Sequence, residues 1–237
     1  MKILVIKLLT VLLYISSLPE ISAQQTIQTG SRTIYLIRHG DYNSEDKRDP
    51  DVGKELVALG IAQTRLLSTR LRSMGINFNS ITSSTMTRAR QTAMIINEEF
   101  PVLSLQQSTL IRECTPPTWR EEIIADESET DLNECVENLE KAFKQYFIPS
   151  QDEKDKHDII VCHGNVIRYF VTKVLNVNTM AWLQMTIGNC SLTIVKIRPN
   201  GSMKLVSFND VGHIPSNMQT STGGDNKSRS LILPVEE

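Results

Sequence analysis

Two short runs of this chain could together carry chemistry. Arg38-His39-Gly40 follows the apolar stretch Thr33-Ile34-Tyr35-Leu36-Ile37, and Cys162-His163-Gly164 follows Asp158-Ile159-Ile160-Val161. A β-rich run that breaks at glycine delivers its last side chains to the carboxyl edge of a sheet, where open α/β folds hold their ligands. A histidine that accepts a phosphoryl group needs a nucleophilic ring nitrogen, cations around the equatorial oxygens and an acid for the departing oxygen. His39 is the candidate nucleophile and Arg38 its neighbouring clamp. Arg88 falls just past Ser80-Ile81-Thr82-Ser83, in what reads as the first turn of a helix, and a helix amino terminus already favours an anion. His163 is expected to donate to the phosphoryl oxygens, and Glu113, read as the end of another strand, to serve as general acid. A lone strand histidine is by default a satisfied core residue, and Arg38 and Arg88 would be surface charges. The pair of histidines at matching strand ends favours catalysis instead. Arg90, Asn165 and Arg168 are assigned to helix caps or local packing, and His157 and His213 to surface or loop positions.

The elements that must position these residues alternate along the chain. Leu56, Leu59, Leu66, Leu67, Leu71 and Met74 recur at helical steps between Gly53 and Gly75, which predicts an amphipathic helix ended by Gly75. A strand is expected at Ser80–Ser83, a helix at Met86–Phe100 stopping before Pro101, and a strand at Ser108–Arg112. The acidic, Pro-containing stretch Cys114–Asp131 reads as a long loop, followed by a helix at Leu132–Phe147, the strand ending at Cys162 and a helix at Asn165–Leu175. Strands at Ser191–Arg198 and Met203–Phe208 flank Pro199-Asn200-Gly201-Ser202, a hairpin signal. The alternation predicts an α/β fold, a three-layer α/β/α sandwich whose sheet is mainly parallel with an antiparallel edge strand.

With 237 residues, 40% of them hydrophobic and 22% charged, the chain can bury one sizeable core. A net charge of -2 gives no bulk electrostatic reason for a nucleic acid partner. Cys114, Cys135, Cys162 and Cys190 lack metal-ligand spacing, so neither a zinc site nor a disulfide framework is expected, and Cys162 reads as a small hydrophobe. Lys2 and Lys7, the apolar stretch Leu8–Leu18 and Ser22-Ala23 resemble a signal peptide cleaved after Ala23. The apolar part is short of the roughly 20 residues of a spanning helix, which ranks a membrane anchor second. The expected organisation is thus a signal or anchor at 1–23, a spacer at 24–32, a catalytic domain at 33–215 and a flexible tail at 216–237. Asn189, Asn200 and Asn226 begin Asn-x-Ser sequons that permit glycosylation.

Arg38-His39-Gly40, Ser83-Ser84-x-x-x-Arg88-Ala89-x-Gln91-Thr92 and His163-Gly164 together resemble the histidine phosphatase, or phosphoglycerate-mutase-like, superfamily over roughly Thr33 to Pro215. Arg38-His39-x-x-Tyr42, Ser84-x-Met86-Thr87-Arg88-Ala89, Leu110-Ile111-Arg112-Glu113, Cys162-His163-x-Asn165-Val166-Ile167-Arg168-Tyr169 and Ile197-Arg198-Pro199-Asn200-Gly201 are similar to its mitochondrial serine/threonine-protein phosphatases. The resemblance implies a phosphatase without metal or cofactor, acting on a phosphorylated protein through a phosphohistidine at His39. Arg38, Arg88 and His163 would form the phosphate pocket and Glu113 would donate the proton. It also implies a mitochondrial membrane location, whereas residues 1–23 themselves favour the secretory pathway. Homo-oligomerisation is left open, because the tryptophan-rich assembly segment of those phosphatases has no counterpart here: Trp119 and Trp182 both lie inside the domain. A small-metabolite phosphatase or mutase would need extra basic residues, and the acidic stretch Glu121–Asp131 opposes a compact polyanion if it borders the site mouth. A membrane-tethered scaffold with a vestigial site is the alternative from another class.

Overall fold

The computed structural model describes residues 30–221. The expected signal or anchor at 1–23, spacer residues 24–29, residues 222–237 and the Asn226 sequon lie outside the described residues. In chain order the elements are β1 (Arg32–Arg38), α1 (Ala58–Ser73), β2 (Ser80–Ser84), α2 (Thr87–Glu99), β3 (Leu105–Ser108), the single turn α3 (Glu121–Ile124), α4 (Glu129–Tyr146), β4 (Lys156–Cys162), α5 (Gly164–Leu175), β5 (Leu192–Ile197) and β6 (Met203–Asp210). Short 3-10 turns occupy Thr109–Ile111, Thr179–Gln184 and Ser216–Met218. The strands form one sheet in the order β3-β2-β4-β1-β5-β6, parallel from β3 to β1 and antiparallel at β1–β5 and β5–β6. The antiparallel edge is the β5–β6 hairpin, whose turn closes with Gly201 at φ +80°.

The continuous apolar run of β1 follows from burial on both faces. Ile34 and Leu36 pack with Leu139 of α4 and Val166 and Phe170 of α5, while Tyr35 and Ile37 pack with Leu67 and Leu71 of α1 and Ala89 and Ala93 of α2. Helices therefore cover both sides of the sheet, in three layers. Neighbouring strands β1 and β4 send their following helices, α1 and α5, to opposite faces. Such divergence opens a crevice at the carboxyl ends of the two strands. The register sets Arg38 opposite Cys162, and the His39 N–H donates to the Cys162 carbonyl at 3.1 Å, so the ladder delivers His39 and His163 side by side.

Several expectations need correction. The first helix starts at Ala58, not Gly53, because the Asp46 carboxylate accepts N–H groups from Arg48 and Lys54 and holds the preceding residues in a compact loop. The strand expected at Ser108–Arg112 ends at Ser108, whose hydroxyl accepts the Leu110 N–H and starts a 3-10 turn; a serine that bonds its own backbone competes with the ladder. Ser128 caps α4 through the Asp131 N–H at 3.1 Å, so that helix begins before Leu132. Cys114 and Cys135 form a disulfide, contrary to expectation, since the loop after the 3-10 turn folds back on α4 and brings their Cα atoms within 5.7 Å. The domain exceeds 33–215 at both ends: the Gly30 N–H donates to Asp152, and Thr220 is buried, donating to Asn189 and accepting from Gln63. Residues 216–221 are thus part of the fold, not tail. No helix among the described residues is long and apolar enough to cross a membrane.

Candidate active site

The crevice at the ends of β1, β2 and β4 holds His39, Ser84 and His163, with Arg88 entering from the first turn of α2. The two imidazole centroids lie 5.2 Å apart. His39 Nδ1 lies 2.8 Å from the Gly40 carbonyl, an obligate acceptor, so Nδ1 carries the proton and donates. That tautomer leaves the Nε2 lone pair for the pocket, where it accepts the Arg88 Nε–H at 3.1 Å. The backbone beneath is fixed as well: the His39 carbonyl accepts from Asn189 Nδ2 at 3.0 Å, and the Gly40 N–H donates to Thr92 of α2 at 3.1 Å. Arg38 donates to the Ile187 carbonyl at 2.7 Å, which aims its guanidinium along the crevice. The Tyr42 ring meets His39 edge-on at 5.1 Å and lies under the Arg88 guanidinium at 4.8 Å, a cation-π contact that orients Arg88.

His163 Nε2 is 2.8 Å from Ser84 Oγ, and its Nδ1 is 3.6 Å from Glu113 Oε2. Glu113 follows the 3-10 turn and Arg112. The backbone N–H of Asn165, in the first turn of α5, donates to its Oε1 at 3.2 Å. Glu113 Oε2 and His163 Nδ1 face each other as buried atoms without a hydrogen bond among the described residues.

Burial pushes the His39 imidazole well below its ordinary pKa, the Arg88 and Arg38 charges push it further, and the hydrogen bond to Gly40 opposes them. His163 is lowered likewise, by burial first and then by His39, Arg88, Arg38 and Arg112. Burial also lowers Arg38 to about 10, and burial lowers Arg88. At neutral pH the pocket therefore holds two neutral imidazoles among crowded guanidinium cations. An anion entering it relieves that repulsion and meets an unprotonated Nε2.

Residues 34–211 match the histidine phosphatase superfamily (branch 1). The chain belongs to this superfamily. Two relatives, each the serine/threonine-protein phosphatase Pgam5, mitochondrial, are those of Caenorhabditis briggsae and Caenorhabditis elegans, 39% and 40% identical to this histidine phosphatase. Each alignment covers 80% of this chain but 66% of the relative, so the chain spans just under two thirds of their length. Among solved structures it resembles a phosphoglycerate mutase of Plasmodium falciparum, with a TM-score of 0.55 and 26% identity over 79% of this chain and 96% of that one.

The histidine phosphatase fold brings the expected residues Arg38, His39, Arg88, His163 and Glu113 into one pocket. Glu113 reaches it from a 3-10 turn rather than from a strand end. Sequence reasoning gave no site role to Ser84, Tyr42 or Asn189, although Ser84 and Tyr42 fall inside the motifs. Asn189 begins a sequon that would permit glycosylation, yet its side chain is buried against His39 and Thr220. Arg112 pairs with Asp51 and Thr85, not with Glu113. Asn165 and Arg168, assigned to local packing, form a chain behind the acid: Arg168 donates to Asn165 Oδ1 at 2.6 Å, and Asn165 Nδ2 to the Cys114 carbonyl at 2.9 Å. His157 and His213 are packed more closely than surface residues, against Tyr35 and the Cys190 carbonyl.

Proposed function

We propose that this chain removes phosphate from protein serine and threonine through a phosphohistidine at His39. The carrying observation is the His39 tautomer, with Nδ1–H tied to Gly40 and the Nε2 lone pair turned to the pocket beside Arg88. Nε2 attacks phosphorus in line with the departing oxygen, and Arg88 exchanges its bond to Nε2 for the equatorial oxygens, which Arg38 and His163 also bind. As the P–O bond breaks, Glu113 gives its proton to the alkoxide. It then takes a proton from water, which attacks the phosphohistidine, breaks the P–N bond and restores His39. No step in this cycle calls for a metal or cofactor.

The names of the relatives support a phosphoprotein substrate. So does the surface beside Glu113, where Glu127, Asp131 and Glu134 line a cleft of about 420 Å³. Negative charge there disfavours a compact polyanion and suits a phosphopeptide with basic flanks. The likeness to a phosphoglycerate mutase keeps a metabolite phosphatase or mutase as the second reading. The His39 tautomer, with Nε2 turned to the pocket beside Arg88, argues against a vestigial scaffold. The relatives named mitochondrial favour that organelle, and the disulfide favours one of its oxidising compartments or the secretory route. The proposal is tested by phosphate release from a phosphothreonine peptide and from 3-phosphoglycerate, with His39→Ala alongside. Release from the peptide, abolished in the variant, is expected; release from the phosphoglycerate alone would move the chain to the metabolite branch.

A further inference from the structure

The Cys114–Cys135 disulfide sits immediately after the proposed proton donor. Cys114 follows Glu113 in the chain, and its sulfur is tied to Cys135, which is buried on α4 in the core layer that also holds Leu139 and Ala142. From the other side Asn165 holds this two-residue segment, donating to Glu113 Oε1 at 3.2 Å and to the Cys114 carbonyl at 2.9 Å. Glu113 is therefore suspended between α5, through two hydrogen bonds, and α4, through one covalent bond. Both residues line the cleft beside Glu113, and Cys114, half-buried where Cys135 is buried, is the one a small reductant would meet. The other cysteines do not compete for it: Cys162 and Cys190 are buried, and burial pushes each thiol up to about 12.

We propose that the Cys114–Cys135 disulfide is a redox-controlled clamp that positions Glu113 against His163, so that a dithiol lowers turnover on alkyl phosphates. The chemistry is exchange: the dithiol loses two electrons and two protons and closes to its own disulfide, and the Cys114–Cys135 bond opens to two thiols. The loop then keeps its two bonds to Asn165 but loses its tie to α4, and the carboxyl drifts from the departing oxygen. This inference rests on Glu113 being the proton donor, and its signature is specific to that role. A threonine alkoxide needs a proton to leave, whereas p-nitrophenolate leaves unaided. The value of kcat/KM reports only the steps through leaving-group departure, so a misplaced acid harms one substrate and spares the other.

The test uses the full chain, oxidised and after reduction by dithiothreitol, with kcat/KM measured on a phosphothreonine peptide and on p-nitrophenyl phosphate. Reduction is expected to lower the peptide value about tenfold and to change the aryl phosphate value by less than about twofold, within the range that general acids contribute. Cys135→Ser is expected to reproduce the split, and Glu113→Gln to show it without responding further to dithiothreitol. Should the serine variant fail to fold, reduction of the natural chain, with thiol titration to prove the bond open, carries the test alone. An unchanged peptide value with the thiols free overturns the clamp, and so does an equal loss on both substrates, which a general loosening of the pocket would give. Activity in the oxidised chain without a split in Glu113→Gln removes Glu113 as donor and the clamp with it. An oxidised chain silent on both substrates overturns the proposed function itself, a result distinct from every outcome that concerns the disulfide.

Discussion

At the scale of single residues, burial and crowded cations keep both imidazoles of the pocket neutral, the state that the proposed transfer to His39 requires. His39 and His163 differ in what their nitrogens touch. The His39 Nδ1–H donates to the Gly40 carbonyl and turns the Nε2 lone pair to the pocket, whereas His163 faces Ser84 on one side and Glu113 on the other. Arg88 has two partners in the resting pocket, His39 Nε2 and the face of Tyr42, and both orient it toward the phosphate position. Arg88→Ala leaves charge on the equatorial oxygens uncompensated, and turnover is expected to fall roughly a hundredfold or more. Steady-state kinetics on a phosphothreonine peptide checks this; a folded variant with unchanged kcat/KM would remove Arg88 from the phosphate site. His39, His163 and Arg38 stood out in the sequence as candidates because each lies at or just beyond the end of an apolar run, and Arg88 because it follows the Ser80–Ser83 run in what reads as the first turn of a helix. Ser84 and Tyr42 fall inside the motifs but, like Asn189, received no role there, because what they touch depends on which strand ends become neighbours.

At the scale of elements, the divergence of α1 and α5 opens the crevice, and close packing of loops against helices fixes its floor. Gly40 shows how little room remains. A Cβ there would stand 2.6 Å from the Gly60 carbonyl oxygen of α1 and 3.0 Å from Thr64 Oγ1, so Gly40→Ala must push the β1 turn away from α1. The displacement would carry His39 with it. The substitution is expected to cost about 1–3 kcal/mol of stability, in the manner of overpacking, and to depress kcat more than KM. Denaturant unfolding and peptide kinetics together check this; full activity in Gly40→Ala would show that the turn can yield without moving the nucleophile. The strands and helices of the sheet were readable from apolar runs and helical spacing. The third strand was misplaced because Ser108 diverts its own backbone into a 3-10 turn, a side-chain to main-chain contact invisible to periodicity. The disulfide was missed for a related reason: Cys114 and Cys135 stand 21 residues apart, and only the folded loop makes them neighbours.

At the scale of the whole molecule, folding buries two imidazoles beside cations, so stability depends on pH. Both His39 and His163 lie well below their ordinary value of 6.5 in the folded state. Above that value both states leave them neutral and they add no pH dependence. Below it the unfolded chain takes up protons that the folded chain cannot, so stability falls on acidification, by up to about 1.4 kcal/mol per pH unit for each histidine. Urea unfolding at mildly acidic and neutral pH is expected to show this loss, and His163→Gln to reduce it; an equal slope in the variant would contradict the burial account. The most direct test of the central claim is to trap the covalent intermediate. The full chain would be mixed with a phosphothreonine peptide carrying labelled phosphate, quenched in alkali within a turnover and mapped by peptide mass. Alkali-stable, acid-labile label on His39, absent from His39→Ala, is the result the account predicts. Phosphate released at full rate with no label on His39, or label on another residue, would contradict it.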